Sequence, residues 1–434
     1  MKSWLAAFQV YRDRRMLAIL CMGFSSGLPL PLTFGTLTYW LSKVGVSRTA
    51  IGLFVLVGLS YSCKFLWSPF IDRLPIPVLT RRVGRRRGWA LVVQLPLMAA
   101  IFALGSTDPK TDLPLTALLA VIVAFLSASQ DIVIDAYRIE LLQPHEQGAG
   151  AAATQWGYRF GLLAATTGAF DAAAFGGWHF TYTIMALLML VGIVTVLLTR
   201  EPAVPEMQPA RGGSRGERMA DWARTAIVLP FADFTRRRGW ITILVLVVLY
   251  KLGEAMAGAM SNPLYRELGF TEYEVGNIGK LSGFVATLTG VAVGGAMVAR
   301  LGMLRALLGA GVLQMLSNLL YIALLLAGHN NWMLALSIFG ENFTGGMASA
   351  AFVAYLSSMC SPAFTATQYA LFSSVAAVPL RFLSAPSGWL VDKVDWIPFF
   401  LFATAICLPS LLLLVWMQRR FDAEDPPRAA ALAD

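Results

Sequence analysis

The chain has 434 residues, 57% hydrophobic and 14% charged, with 34 Lys and Arg against 25 Asp and Glu. That is more apolar surface than a single water-soluble core of this length buries, so the composition excludes a soluble enzyme and selects a bilayer as solvent. The net charge of +9 does not imply a nucleic-acid partner, because the basic residues alternate with apolar runs instead of forming one soluble basic face.

About twelve apolar runs of roughly 20 residues follow, the length that roughly 30 Å of hydrocarbon demands of a helix. They cover 16–42, 49–69, 88–106, 114–139, 149–171, 180–199, 239–262, 272–298, 302–327, 332–359, 365–391 and 395–418. The first follows Tyr11-Arg12-Asp13-Arg14-Arg15. It is too long for a signal-peptide core, lacks a cleavage site and is expected to stay as the first helix. Placing the N-terminus inside puts about 24 Lys and Arg on one side, and about five (Lys43, Arg48, Lys110, Arg266 and Lys393) on the other, so both termini are expected in the cytoplasm. The plan is a six-helix unit over 1–200, a cytoplasmic linker over 201–238, a second six-helix unit over 239–420 and a short tail over 421–434. Trp222 and the run Ile227 to Phe231 suit a short interfacial helix within the linker.

The first span reads Gly27-Leu28-Pro29-Leu30-Pro31 at its middle. It cannot complete its hydrogen-bond ladder there, and broken helices at mid-membrane line substrate pathways in transporters. In the second span, Lys64 sits near the predicted helix end, where a long amine snorkels. The next loop holds Ser68-x-x-x-Asp72-Arg73, then Gly84-Arg85-Arg86-Arg87. An acid at a helix end beside arginines can bond the facing half and latch one conformation, a role expected for Asp72, Arg73, Arg85, Arg86 and, from the matching loop of the second half, Arg300.

The fourth span carries Asp131, Asp135 and Arg138 on one helical face. Two carboxylates four residues apart repel, which favours holding a proton. Two arrangements stay open: proton coupling, or pairing of Asp135 with Arg138 and of Asp131 with Arg159. In the fifth span Gln155, Tyr158 and Arg159 lie near mid-membrane, and Arg159 offers a bidentate fork for an anion. In the second unit Lys251, Lys280 and Arg381 are basic, and Glu254 and Glu341 acidic. Lys251 and Glu254, at i and i+3, either satisfy one another or face the pathway. Charges inside the membrane cost about 2.5 to 3.5 kcal/mol each, on the order of 25 kcal/mol for all of them if lipid-facing, so they must face each other or a wet cavity. Cys21, Cys63, Cys360 and Cys407 are isolated in or near apolar spans and indicate neither a disulfide nor a metal framework, and no cofactor is implied.

The units repeat. Ala136-Tyr137, Pro144 and Ala153-Thr154-Gln155-Trp156 in the first correspond to Ala354-Tyr355, Pro362 and Ala366-Thr367-Gln368-Tyr369 in the second, with five residues fewer in the second loop. An all-α, twelve-helix, six-plus-six plan resembles the major facilitator superfamily, as does the Asp72-Arg73 loop.

Four blocks are more specific: Gly27 to Leu37; Lys64 to Pro69 with Asp72-Arg73; Ser127-Ala128-Ser129-Gln130-Asp131-Ile132-Val133 with Asp135-Ala136; and Gly148 to Ala152 with Gly157-Tyr158-Arg159. Together they resemble the AmpG-type muropeptide permeases. The resemblance implies proton-driven import of N-acetylglucosaminyl anhydro-N-acetylmuramyl peptides through the bacterial inner membrane. The peptide carboxylates would suit Arg159, Lys280 and Arg381, and the sugars Gln130, Gln155, Trp156 and Tyr158. Some members of that family carry extra hydrophobic segments towards the C-terminus, and none is visible here. The helix-four block is also similar to eukaryotic acetyl-CoA transporters, whose cargo is likewise a bulky anion. The expected partners are therefore an anionic glycopeptide, protons and membrane lipid, with a monomeric protein. A membrane enzyme would need a placed base or nucleophile, and His145, His179 and His329 form no motif with one another. A drug exporter of the same superfamily and a non-transporting sensor are the remaining alternatives.

Overall fold

A computed structural model describes residues 8–203, 216, 221, 224–237 and 239–423. Trp222 lies outside the described residues, whereas Arg224–Val228 and Leu229–Thr235 of the linker are helical.

Among the described residues, ten helical runs are long and apolar enough to cross a membrane. One of them, Pro144–Leu198, has 55 residues, more than twice what one crossing needs, and it turns over at Gly177 (φ 76°, ψ −178°). It is therefore two crossings. The helix Asn331–Ser358, diluted in hydropathy by Glu341, Asn342 and three glycines, is long enough at 28 residues to complete twelve. In chain order they are α1 (Arg14–Lys43), α2 (Arg48–Leu66, continued by Ser68–Arg73), α3 (Arg85–Gly105), α4 (Leu113–Leu141), α5 (147–176), α6 (178–198), α7 (Trp240–Glu267), α8 (272–301), α9 (Met303–Ala327), α10 (Asn331–Ser358), α11 (Thr365–Val394) and α12 (Trp396–Arg420). The protein is an all-α membrane protein with two halves of six helices.

The repeat is clearest in the backbone. Three left-handed positions recur at equivalent places: Gly45 and Gly269 end α1 and α7, Gly84 and Gly302 precede α3 and α9, and Gly177 and Asp395 precede α6 and α12. Both α1 and α7 end with the same pair of bonds, Gly45 N to Ser42 O and Val46 N to Leu41 O in the first half, and Gly269 N to Arg266 O and Phe270 N to Tyr265 O in the second. One match read from the sequence is displaced. Gln147 begins α5 three residues after Pro144, and Thr365 begins α11 three residues after Pro362, so the spacing from proline to helix is the same in the two loops. Ala366–Tyr369 lies in the first turn of α11, whereas Ala153–Trp156 lies more than a turn into α5, and the two tetrapeptides do not superpose.

Each half has its own apolar core, the first including Leu28, Leu97, Ile101 and Tyr182, the second Leu246, Leu307, Tyr355 and Phe372. Close helix approach depends on glycine: a Cβ at Gly157 would stand 1.9 Å from the Leu20 carbonyl oxygen of α1. The halves meet along α5 and α8, where Trp156 Nε1 donates to Leu288 O (2.8 Å) and Phe160 faces Phe284 at 6.0 Å. Further bonds gather towards the end that carries the linker, the basic end: Tyr11 Oη to Ala292 O (3.0 Å), Arg138 Nη2 to Ser357 Oγ (3.1 Å) and Arg237 Nη1 to Met359 O (2.5 Å).

Candidate functional site

Pro29 has no N–H, so the carbonyl of Ser25, four residues earlier in α1, has no helical partner. The structure supplies one from α4: Gln130 Nε2 donates to Ser25 O at 2.9 Å. The neighbouring pair adds a second bond, Ser26 Oγ donating to Asp131 Oδ1 at 2.5 Å. Two consecutive residues of α1 are thus tied to two consecutive residues of α4 where α1 is broken into Arg14–Gly27, Pro29–Thr33 and Gly35–Lys43. Gln130 is fully buried, so its amide serves α1 and does not line an open cavity.

Asp131 is in the electrostatic field of Lys64 and Asp135, and acts in turn on the phenols of Tyr61 and Tyr158. Its facing cation is therefore Lys64 of α2; no ion pair joins it to Arg159 among the described residues. The apolar pattern predicts Lys64 near a helix end. The helix continues to Arg73, so Lys64 lies within it, in the 3-10 turn Lys64–Leu66. Asp135 pairs with Arg138 at 3.5 Å, and the Arg138 guanidinium also lies 5.4 Å from the ring centroid of Tyr369 in the second half.

At 100° per residue, Gly157 and Gly161 of α5 face α1, and Trp156 and Phe160 face α8. Gln155, Tyr158 and Arg159 share the remaining arc, and Arg159 is exposed. Tyr158 feels both Asp131 and Arg159, which places an arginine, a tyrosine and a carboxylate around one region of the first half.

In the second half, Lys251 Nζ donates to Glu254 Oε2 at 2.5 Å, so these two satisfy one another. Glu341 of α10 lies in the field of Glu254 and Lys251, close to the buried Tyr321 and to Tyr265. Arg381 donates to Ser62 Oγ of α2 at 3.3 Å. Lys280 falls in the π-helical turn Gly279–Gly283, and its side chain lies outside the described residues.

The loop expected to latch the halves forms a buried charge network at the basic end. Arg86, 1% exposed, donates to Asp72 Oδ1 (2.7 Å), through Nε to Glu140 Oε2 (2.9 Å), and through Nη2 to Glu140 Oε1. The second oxygen of Asp72 accepts from the N–H (3.1 Å) and hydroxyl (3.0 Å) of Thr367, in the first turn of α11. An acid of the first half thus caps a helix of the second. Arg85 donates to Asp72 O (3.0 Å), Arg73 stacks on Phe364 at 4.7 Å, and Arg300 lies in the last turn of α8. Sequence reasoning alone misses Glu140, Glu201 and Thr367. Glu201 accepts from the N–H groups of Arg86 (2.6 Å) and Arg87 (3.0 Å), capping α3. Both acids stand at helix ends, Glu140 in the last turn of α4 and Glu201 just after α6, but nothing local in the sequence pairs either with Arg85–Arg87.

The chain is 40% identical over 409 residues to the anhydromuropeptide permease of Escherichia coli strain K12, covering 94% of this chain and 80% of that one. It belongs to the anhydromuropeptide permease family. A Rickettsia conorii transporter designated AmpG 4 is 33% identical, covering 95% of this chain and 98% of that one. Residues 243–433 match the family model "Major Facilitator Superfamily", and residues 15–175 match "Acetyl-coenzyme A transporter 1". Among solved structures, the human organic anion transporter MFSD10 superposes with a TM-score of 0.63 at 16% identity (95% of this chain, 100% of that one). A double-tryptophan mutant of XylE superposes at 0.66 and 14% (92% and 94%). At those identities the likeness establishes the major facilitator fold. The protein is a membrane-spanning secondary transporter and not an enzyme.

Proposed function

We propose that this permease imports anhydromuropeptides from periplasm to cytoplasm, driven by the proton gradient, for reuse of cell-wall material. The observation that carries the reading is the 40% identity across 94% of the chain to a permease named for that cargo. The charged side chains between the helices suit it. Arg159, with Tyr158 and Gln155 beside it, is the contact for a peptide carboxylate; Lys251, Lys280 and Arg381 are basic groups of the opposite half that can share the anion. Asp131 carries the proton, with Glu341 the second-half candidate, and Asp135 and Glu254 are held by their cations. Asp72, Arg73, Arg85, Arg86 and Arg300 belong to the latch, which releases when the cargo favours the other conformation.

The membrane is the bacterial inner membrane, with both termini in the cytoplasm by the positive-inside bias, and the working unit is a monomer. The latch then closes the cytoplasmic end. One proton moving down about 150 mV releases roughly 3.5 kcal/mol, enough for roughly 300-fold accumulation. A monoanion accompanied by one proton carries no net charge, so either more than one proton accompanies a divalent cargo or the pH gradient alone drives uptake.

The match of residues 15–175 to an acetyl-CoA transporter model favours a second reading, a different bulky anion on the same site. Uptake of labelled anhydromuropeptide and labelled acetyl-CoA into proteoliposomes separates the two. Muropeptide accumulation that collapses with a protonophore supports the first reading; acetyl-CoA uptake alone supports the second. Muropeptide uptake indifferent to both ionophores and pH steps removes proton coupling.

A further inference from the structure

Ser26 occupies an unusual junction. It stands one turn before Pro29 and Pro31, on a helix whose backbone is pinned to α5 on one side: a Cβ at Gly27 would stand 2.2 Å from the Tyr158 carbonyl oxygen, and one at Gly23 would stand 2.4 Å from that of Thr154. On another side α1 is tied to α4 by Gln130. The Ser26 hydroxyl is 2.5 Å from Asp131 and donates to it, and Ser26 itself is buried, 8% exposed.

A hydroxyl that donates to a carboxylate favours its charged form, and losing that bond favours the protonated one. Pro29, Pro31 and Phe34, whose backbone (φ −123°, ψ −106°) is not helical, divide α1 into an inner segment that ends at Ser26-Gly27 and an outer one. A bend at this break that draws the end of the inner segment away from α4 turns the Ser26 hydroxyl from Asp131.

We propose that Ser26 is a positioning residue that ties the proton affinity of Asp131 to the position of the broken helix α1. With the bond made, Asp131 gives up its proton; with α1 swung and the bond lost, Asp131 takes one. The other groups facing Asp131 are Lys64 and Tyr61 from α2, Tyr158 from α5, which Arg159 faces in turn, and Asp135 of its own helix. Titratable residues of α3 are confined to Arg85–Arg87 at its basic end, and Arg381 of α11 bonds Ser62 and not Asp131 among the described residues. Ser26 is therefore the group through which α1 acts on this carboxylate. The inference rests on Asp131 as proton carrier.

The test measures initial uptake of labelled anhydromuropeptide into proteoliposomes across external pH. Ser26→Ala is expected to move the alkaline limb of the profile to higher pH by about one unit, the scale of one hydrogen bond to a charged group. Ser26→Cys, slightly larger and a weaker donor, should move it the same way by less, and Ser26→Thr should keep the parental midpoint. Ser26→Ala and Ser26→Cys profiles that differ from the parent only in maximal rate would overturn the proposal and make Ser26 a packing residue. Asp131→Asn run alongside separates the two failures. If it abolishes proton-driven accumulation while Ser26→Ala keeps the parental midpoint, only the role of Ser26 is wrong; if Asp131→Asn retains pH-dependent accumulation, the carrier assignment itself is wrong.

Discussion

The two halves share a backbone and differ in what they place on it. Gly84 and Gly302 hold the same left-handed conformation before α3 and α9. In the first half that turn leads into a network of Asp72, Glu140, Glu201 and three arginines; in the second, the position matching Asp72 is Ala299. The same contrast recurs inside the membrane. The first half holds Asp131 between Ser26 and Lys64, with Arg159 nearby, whereas in the second Lys251 and Glu254 close on each other. Duplication supplied the scaffold, and the chemistry diverged on top of it, with the latch and the best candidate for a proton carrier on the same side.

The largest expected effect tests that asymmetry at the latch. Arg86→Met leaves Asp72 and Glu140, 1% and 2% exposed, without their shared cation. Breaking a buried pair in this way costs about 3 to 5 kcal/mol, read as a fall of roughly 5 to 10 °C in Tm in detergent. The contrasting substitution in the second half, Arg381→Met, removes one 3.3 Å bond from an exposed arginine and should stay within about 0.5 kcal/mol. Equal losses would show that the latch network is not the stronger tie.

Next in size is the functional contrast. Asp131→Asn, nearly isosteric, should bring muropeptide accumulation down to the level of a protonophore-treated control if it removes the transported proton, measured as the steady-state ratio of labelled cargo across the vesicle membrane. Lys251→Met and Glu254→Gln, made singly, each strand one charge in a half-buried pair, but together they remove both. The double mutant should therefore recover about 1 to 2 kcal/mol of the summed losses in thermal unfolding. Purely additive losses would mean that the pair is not a unit.

Length, period and basic-residue bias make the twelve helices, their division into halves and the Asp72-Arg73 loop legible in the amino-acid order itself, because those features are local and repeat. What the sequence conceals is non-local. Gln130 reads as a sugar-binding amide until the missing N–H of Pro29, about a hundred residues away, explains its partner. Glu140 and Glu201 disappear in a count of Lys and Arg alone, and Thr367 carries no charge to draw notice. Lys64 lies further from the helix end than hydropathy places it, because the apolar run stops at residue 69 and the helix continues to Arg73, about one turn more.

The smallest predicted effect bears on the scaffold itself. Asp395 and Gly177 hold the same backbone conformation before α12 and α6, but only Asp395 has a side chain, and its carboxylate accepts from Trp396 N at 2.7 Å. A non-glycine residue at φ 69° is strained unless a local bond compensates. Asp395→Ala keeps the strain and loses the bond, and should lower stability by about 1 kcal/mol. Asp395→Gly loses the bond but relieves the strain, and should fall within about 0.5 kcal/mol of the parent. Gly177 has open space where a Cβ would go, but its φ of 76° strains any side chain, so Gly177→Asp should cost up to about 1 kcal/mol, offset in part by the same cap. Thermal unfolding of the three variants decides it. If Asp395→Gly is as damaging as Asp395→Ala, the carboxylate does more than hold this turn, and the matched conformations no longer imply matched roles.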